Sequence, residues 1–277
     1  MSIEWSLVFF TLFVGLAAGV FTGIAISEWT GGAVKKVRFP GAVLTLAALV
    51  IGGVSSTLHL GHPERIFGAL EKPGSGIFME ALLIGVFGLI IIFYILALRR
   101  GAAELVCKLL ATLGAIPAVW LAFSVGQTYV MPSRPAWDTP FLPALYMASA
   151  AVMGCFCIAA LMSGRDDNTA ETALNKITSI FLGLQIGLTM LYILLLSRAP
   201  YADASRSTAR VFMGDLAPLF WIGVVAPGFL APCIILWRAK MPGFLAESRY
   251  VLMCVLIAGI AFRVIMFSLG SAVREFF

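Results

Sequence analysis

The two histidines of the chain, His59 and His62, lie three residues apart in the stretch STLHLGHPERIFGAL, residues 56–70. Arg65 follows them in the same stretch, and Glu80 comes after a short connecting segment. Imidazole titrates near neutral pH, and a carboxylate beside it is a second group that can accept a proton. His59 and Glu80 are therefore candidates for a proton-accepting pair.

A haem or metal site is the first alternative for the histidines. A b-type haem in a helical bundle takes its axial histidines from different helices, whereas His59 and His62 end the same predicted helix. Gly61 and Pro63 would break the helix that a metal-binding pair of these histidines requires. Ligation through one histidine stays open, but we expect no haem and no metal here. We expect His62 to be a bystander.

The cysteines offer no second redox site. None of them has the C-x-x-C spacing of iron–sulfur motifs. They lie in or beside apolar segments, where cysteine behaves as a small hydrophobic residue: Cys107, Cys155, Cys157, Cys233 and Cys254. We expect no iron–sulfur cluster in this chain.

The elements that must position these residues are membrane-spanning helices. The chain is 61% hydrophobic and 12% charged, with a mean hydropathy of +1.00, and about 20 apolar residues suffice to cross a bilayer. Apolar segments predict an all-α integral membrane protein with eight helices in one bundle, a single polytopic domain over residues 1–277. The predicted spans are about 5–27, 39–60, 76–98, 105–127, 141–162, 174–197, 212–237 and 247–270.

The loops predict the orientation of this bundle. Lysine and arginine are more frequent in the loops after the first, third, fifth and seventh segments than in the others. Such loops stay inside, so both termini are expected on the outer, periplasmic side. Basic loops at a lipid surface also account for the net charge of +5 without nucleic acid. The longer outside loops, 61–75, 128–140 and 198–211, are either a docking surface or ordinary connections.

Ionisable residues inside the spans are the best pointers to function, because a charge in hydrocarbon costs at least about 2.5 kcal/mol. His59 ends the second segment, Glu80 lies near the start of the third, and Arg263 lies within the last. The histidine could instead reach for the interface, and the glutamate could complement the start of its helix. Arg263 is expected to face the interior and to bond to backbone carbonyls or a carboxylate. It is either a structural tether or a functional charge.

Three sequence features together resemble a known family. The pattern L-H-L-G-x-P-x-R-x-F fits residues 58–67, and Arg263 stands in AFRVIMF of the last segment. A weaker point is the segment 129–139, which contains Pro-x-Trp. With eight spans and no haem ligands, the chain resembles the membrane anchor subunit of the dimethyl sulfoxide reductase family.

The resemblance implies a heterotrimer of anaerobic respiration in the bacterial cytoplasmic membrane. Its partners would be a four-cluster, ferredoxin-like iron–sulfur subunit and a molybdopterin catalytic subunit, so that no molybdenum is expected in this chain. The chain would bind menaquinol near the outer face, oxidise it to menaquinone and pass electrons on, without being catalytic alone. The residues that the resemblance assigns to the quinol site are His59 and Glu80 as proton acceptors, Gly61, Arg65 and Phe67 around them, and, on weaker matches, Arg263 and Tyr129.

Two other functions stay open. The protein could be the anchor of a related polysulfide or nitrite reductase, which would keep its role and change the terminal acceptor. It could also be a transporter or proton channel. That class predicts paired charges at mid-membrane on several helices, whereas Gln127 and Gln185 are polar but uncharged.

Overall fold

The computed structural model describes residues 4–58, 75–134, 136–164, 168–198, 202–238 and 244–269. These residues form helices joined by short connections. In chain order the helices are α1 (Trp5–Thr30), a 3-10 turn (Ala33–Val37), α2 (Arg38–Leu58), α3 (Gly76–Arg99), α4 (Glu104–Gln127), α5 (Phe141–Met162), α6 (Asn168–Arg198), α7 (Ala202–Phe212), a π-helical segment (Leu219–Leu230) that runs into α8 (Ala231–Arg238), and α9 (Phe244–Leu269).

Helix length and composition define a multi-pass membrane protein. Within the described ranges, eight helices are long and apolar enough to cross a bilayer, as the sequence predicts. α1 and α5 are the most buried of them, while α3 and α6 are the least buried. α1 and α5 therefore form the centre of the structure, and α3 and α6 lie at its periphery.

The close approach of α1 and α5 depends on glycine. A Cβ atom on Gly19 would lie 1.9 Å from the carbonyl oxygen of Ala150, and one on Gly154 would lie 2.3 Å from the backbone of Gly19. Gly19 and Gly154 therefore belong to the packing surface between these helices. Gly183 and Gly187 of α6 do not have such a role in the described residues, because a Cβ on either would meet nothing within 4 Å.

The seventh predicted span, 212–237, is corrected by the structure. Its first residue, Phe212, is the last residue of α7, and the membrane-crossing helix begins at Leu219. Residues 202–212 are helical and amphipathic, although the sequence places them in a loop. A hydropathy pattern follows apolar content and therefore does not detect the break between the two helices. Gly214 lies in this break, close to the end of α7: a Cβ on it would lie 2.8 Å from the backbone of Arg210.

Polar contacts distinguish the two ends of the bundle. Arg38 bonds to Glu28 at 3.0 Å and Lys35 to Glu104 at 2.7 Å, and we name this the basic end. At the opposite end, α3 begins and α4 finishes close together. We name it the site end, because Glu80 lies there.

Candidate functional site

Glu80 is a buried carboxylate near the start of α3. The side chain of Ser75 caps this helix by accepting a hydrogen bond from the Phe78 N–H at 3.2 Å. Capping fixes the first turn and so sets the direction in which the next turn presents Glu80. Glu80 is only 8% exposed. The sequence predicts it at the helix start, and the structure places it there.

The end of α4 supplies the hydrogen-bond partner of Glu80. The Thr128 hydroxyl donates to Glu80 Oε1 at 2.7 Å and also lies 3.0 Å from the Ser124 carbonyl oxygen. Gly76 leaves room for this contact, since a Cβ there would lie 3.0 Å from the Thr128 hydroxyl oxygen. No lysine or arginine of the described ranges forms an ion pair with Glu80. A carboxylate without a cation is suited to taking up a proton.

Tyr129 follows Thr128, and its hydroxyl group lies within electrostatic range of the Glu80 carboxylate. Its ring packs edge-on against Trp137 at 5.5 Å and Phe267 at 5.3 Å, and it stacks against Tyr146 at 6.4 Å between centroids. Its hydroxyl forms no hydrogen bond with any residue that the structure describes. Burial and the nearby charge of Glu80 raise the pKa of Tyr129 well above its usual value. The hydroxyl therefore stays protonated and can donate a hydrogen bond.

The connection between α4 and α5 is fixed to neighbouring helices. The indole N–H of Trp137 donates to the Met266 carbonyl at 2.8 Å, and the Tyr192 hydroxyl donates to the Ala136 carbonyl at 2.7 Å. The Arg134 guanidinium lies 4.4 Å from the centroid of the Trp137 ring. These contacts hold the loop, and with it Tyr129, against α6 and α9.

Arg263 lies behind this aromatic group, at 1% exposure. Its Nε donates to the Thr11 hydroxyl at 2.9 Å, its Nη2 to the Thr11 carbonyl at 3.1 Å and its Nη1 to the Gly259 carbonyl at 3.0 Å. Its guanidinium is 5.1 Å from the centroid of the Tyr146 ring. As the sequence predicts, it faces the interior and bonds to backbone carbonyls, here joining α9 to α1.

Four of the predicted site residues lie outside the described residues. His59, Gly61, Arg65 and Phe67, together with the bystander His62, fall within 59–74, so their roles stay predictions. His59 comes directly after Leu58, the last residue of α2. Within the described ranges, no group of three or more His, Cys, Asp or Glu side chains could hold a metal ion.

Sequence reasoning missed two partners at the site end and one buried carboxylate at the basic end. Thr128 carries no sequence signal beyond its position beside Tyr129, and the contact of Phe267 with Tyr129 joins residues far apart in the chain. Glu28 is 1% exposed, yet it lies just beyond the predicted end of the first span. A charge at such a boundary is easily assigned to a loop.

The fold and site define a multi-helical membrane protein with a buried carboxylate and an aromatic group at one end. Within that class, the protein belongs to the polysulphide reductase, NrfD family, whose model matches residues 1–273. It is also 26% identical over 281 residues to the C subunit of the anaerobic dimethyl sulfoxide reductase of Haemophilus influenzae, with 96% of this sequence and 94% of that protein covered. These matches confirm the resemblance seen in the sequence.

Proposed function

We propose that this protein is the membrane anchor subunit of a respiratory reductase and that it oxidises menaquinol at the site end. The observation that carries this proposal is the buried Glu80 carboxylate, which is bonded to Thr128 and lies within electrostatic range of Tyr129, whose hydroxyl has no partner among the described residues. A proton acceptor and a neutral donor at the same end of the membrane spans suit a lipid-soluble substrate that releases protons.

The side chains at the site end fit the chemistry of a quinol. A quinol is a flat aromatic ring with two hydroxyl groups, and each hydroxyl can donate to a carboxylate or accept from a neutral donor. Glu80 would accept from one hydroxyl, and Tyr129 would donate to an oxygen of the head group. Tyr129, Trp137 and Phe267 provide ring faces and edges against which an aromatic head group can pack. The isoprenoid tail would remain in the lipid.

Oxidation of one quinol releases two protons and two electrons, and the protons need acceptors. We assign one to Glu80 and the other to His59, on the family resemblance and on the position of His59 directly after α2. Thr128 would hold the Glu80 carboxylate in one orientation before transfer and stabilise its charge.

Arg65 would hold the quinone oxygen or stabilise the anion left by the first proton. Gly61 and Phe67 would complete the pocket, and Arg263 would contribute its charge from behind Tyr146.

The electrons would leave the protein at once. The sequence has no C-x-x-C motif and no histidines on separate helices, so a partner must receive them. The similar protein in Haemophilus influenzae is named as one component of a reductase, which supports a complex with an iron–sulfur subunit and a molybdopterin subunit. Docking of the iron–sulfur subunit over the loops of the site end would keep the electron transfer distance short.

The proposed setting is the bacterial cytoplasmic membrane, with the site end and both termini outside and residues 1–277 acting as one domain. Protons released from quinol would then leave on the outer side. The terminal acceptor would be chosen by the catalytic partner. Dimethyl sulfoxide is favoured by the similar protein of Haemophilus influenzae, and polysulfide is the second candidate because the family model has that description.

Purification tests this proposal against the transporter or channel alternative. The protein, tagged and extracted from its native membranes, should bring with it proteins that contain iron and molybdenum, whose iron–sulfur clusters are reduced on addition of a menaquinol analogue. The His59→Ala variant should assemble and lose this reduction, while Glu104→Gln at the basic end should keep it. A protein that purifies alone and moves a solute or protons across vesicles would overturn the proposal.

A further inference from the structure

The basic end carries an excess of positive charge around α2, α3 and α4. The described residues 28–39 and 94–108 hold six basic side chains and two carboxylates, Glu28 and Glu104. Both carboxylates are occupied by cations of the same protein. The excess positive charge of this end therefore lies on the basic residues that have no carboxylate partner.

Glu28 and Glu104 are neutralised by residues of α2, α4 and the 3-10 turn. The fully buried Glu28 side chain accepts from Arg38 at 3.0 Å and from the Tyr94 hydroxyl, with Lys35 at 3.7 Å. Glu104 accepts from Lys35 at 2.7 Å and lies 3.1 Å from the Lys108 ammonium nitrogen. Within the described part of this end, these contacts leave no carboxylate for the end of α3.

Arg99 and Arg100, at the end of α3, lie outside this network. Both are exposed, and among the described residues neither side chain has a carboxylate partner. The Arg99 guanidinium lies 5.5 Å from the centroid of the Phe39 ring, which keeps it over the junction of α2 and α3. The C-terminus of α3 favours cations, because the aligned peptide dipoles of the helix give this end a partial negative charge.

The surfaces that lead to this pair of arginines are apolar and exposed. Val43 and Val50 of α2 are 43% and 56% exposed, and Ile92 and Leu96 of α3 are both 41% exposed. A molecule that contacts both regions must have an anionic head and a long apolar part. A free anion would meet only the arginines.

We propose that Arg99 and Arg100 bind the phosphate of an anionic phospholipid whose acyl chains lie along α2 and α3. Guanidinium groups recognise phosphate oxygens through paired hydrogen bonds, and basic sites between membrane helices are suited to lipid head groups. The bound lipid covers the exposed junction of α2 and α3. This site lies at the opposite end from Glu80 and does not depend on the proposed quinol chemistry.

Lipid retention by the membrane-extracted complex tests this site. The complex is exchanged into detergent containing cardiolipin, phosphatidylglycerol or phosphatidylcholine, and the bound lipid is measured by native mass spectrometry. The double variant Arg99→Gln with Arg100→Gln should retain cardiolipin and phosphatidylglycerol about tenfold less well than the unchanged protein. Phosphatidylcholine should bind weakly to both.

Two further variants separate a specific site from general charge and from misfolding. Lys176→Gln with Arg249→Gln removes the same charge at the same end, on α6 and α9, and should leave retention unchanged. Arg99→Lys with Arg100→Lys keeps the charge but not the paired hydrogen bonds, and its lipid retention should lie between that of the unchanged protein and that of the glutamine pair. Equal loss in the control pair, loss in the lysine pair as large as in the glutamine pair, or full displacement of the lipid by inorganic phosphate would overturn the proposal.

Discussion

The Thr128 hydroxyl donates a 2.7 Å hydrogen bond to the Glu80 carboxylate, which joins the end of α4 to the start of α3. The two residues are 48 positions apart in the sequence. The bond places a buried carboxylate, the start of the loop between α4 and α5, and the Tyr129 ring in one small region at the site end. The proposed quinol chemistry depends on this arrangement.

Replacing Thr128 by valine should slow quinol oxidation. Valine keeps the branched shape and removes the donor, and a hydrogen bond to a charged group contributes about 1.5–3 kcal/mol, which corresponds to about tenfold or more in rate. Thr128→Ser keeps the hydroxyl and should retain most of the activity. Steady-state oxidation of a menaquinol analogue by the purified complex measures both variants. Equal rates for the valine and serine variants would show that the hydroxyl has no part in the reaction.

Replacing Tyr129 by phenylalanine should weaken quinol binding without loss of stability. The ring contacts with Trp137 and Phe267 remain, and the hydroxyl that is lost has no partner among the described residues. We expect a KM for the quinol analogue raised about tenfold, as for the loss of one hydrogen bond. Tyr192→Phe is the matched control, because its hydroxyl bonds to the Ala136 carbonyl. That variant should lower the thermal stability of the complex and change KM little.

The packing of α1 against α5 predicts a sharp difference between two glycine substitutions. Gly19→Ala would drive a Cβ into the Ala150 carbonyl oxygen, a backbone atom that cannot turn aside, and should cost about 3 kcal/mol. Gly183→Ala meets open space and should leave stability unchanged or raise it by up to about 1 kcal/mol through helix propensity. Thermal unfolding followed by size-exclusion chromatography compares the two. Similar melting temperatures would contradict the described packing of α1 and α5.

The Arg210–Asp215 pair predicts an acid-sensitive contribution to stability. Arg210 donates to both carboxylate oxygens of Asp215, at 2.9 and 2.7 Å, and this lowers the pKa of Asp215. A lowered pKa in the folded state means that the contribution is complete above the usual aspartate value of about 4 and is lost as the pH falls below it. Arg210→Gln should therefore lower the melting temperature at pH 7 by a small amount, since the pair is exposed. The difference in melting temperature between this variant and the unchanged protein should shrink towards pH 3. A difference that stays constant with pH would show that the Arg210–Asp215 pair does not cause it.

The eight spans can be predicted because each is an apolar segment of the required length. The bounds of α5 agree with the predicted 141–162, while α6 begins at Asn168, well before the predicted residue 174. Its first turns are polar, so hydropathy does not detect them. Likewise, hydropathy assigns α7 to a loop, because an amphipathic helix has no continuous apolar segment.

The candidate site can be predicted only in part. The rarity of charges in the spans points to Glu80 and Arg263, since burial of a charge requires a reason. Their partners Thr128 and Thr11 are ordinary residues whose role is visible only when the helices are packed together. Spatial proximity between such positions is not encoded in local periodicity.

Proton uptake by Glu80 is the step on which the proposed quinol oxidation depends, and the Glu80→Gln variant removes it. Glutamine keeps the size of the side chain and an oxygen that can accept from Thr128, but it does not take up a proton at neutral pH. The measurement is the rate at which a menaquinol analogue reduces the iron–sulfur clusters of the purified complex, beside the rate with reduced viologen, which needs no proton acceptor at this site. We predict a loss of about a hundredfold with quinol, no change with viologen, and full quinol activity in Glu104→Gln. A Glu80→Gln complex that oxidises quinol at the rate of the unchanged protein would show that Glu80 is not the proton acceptor.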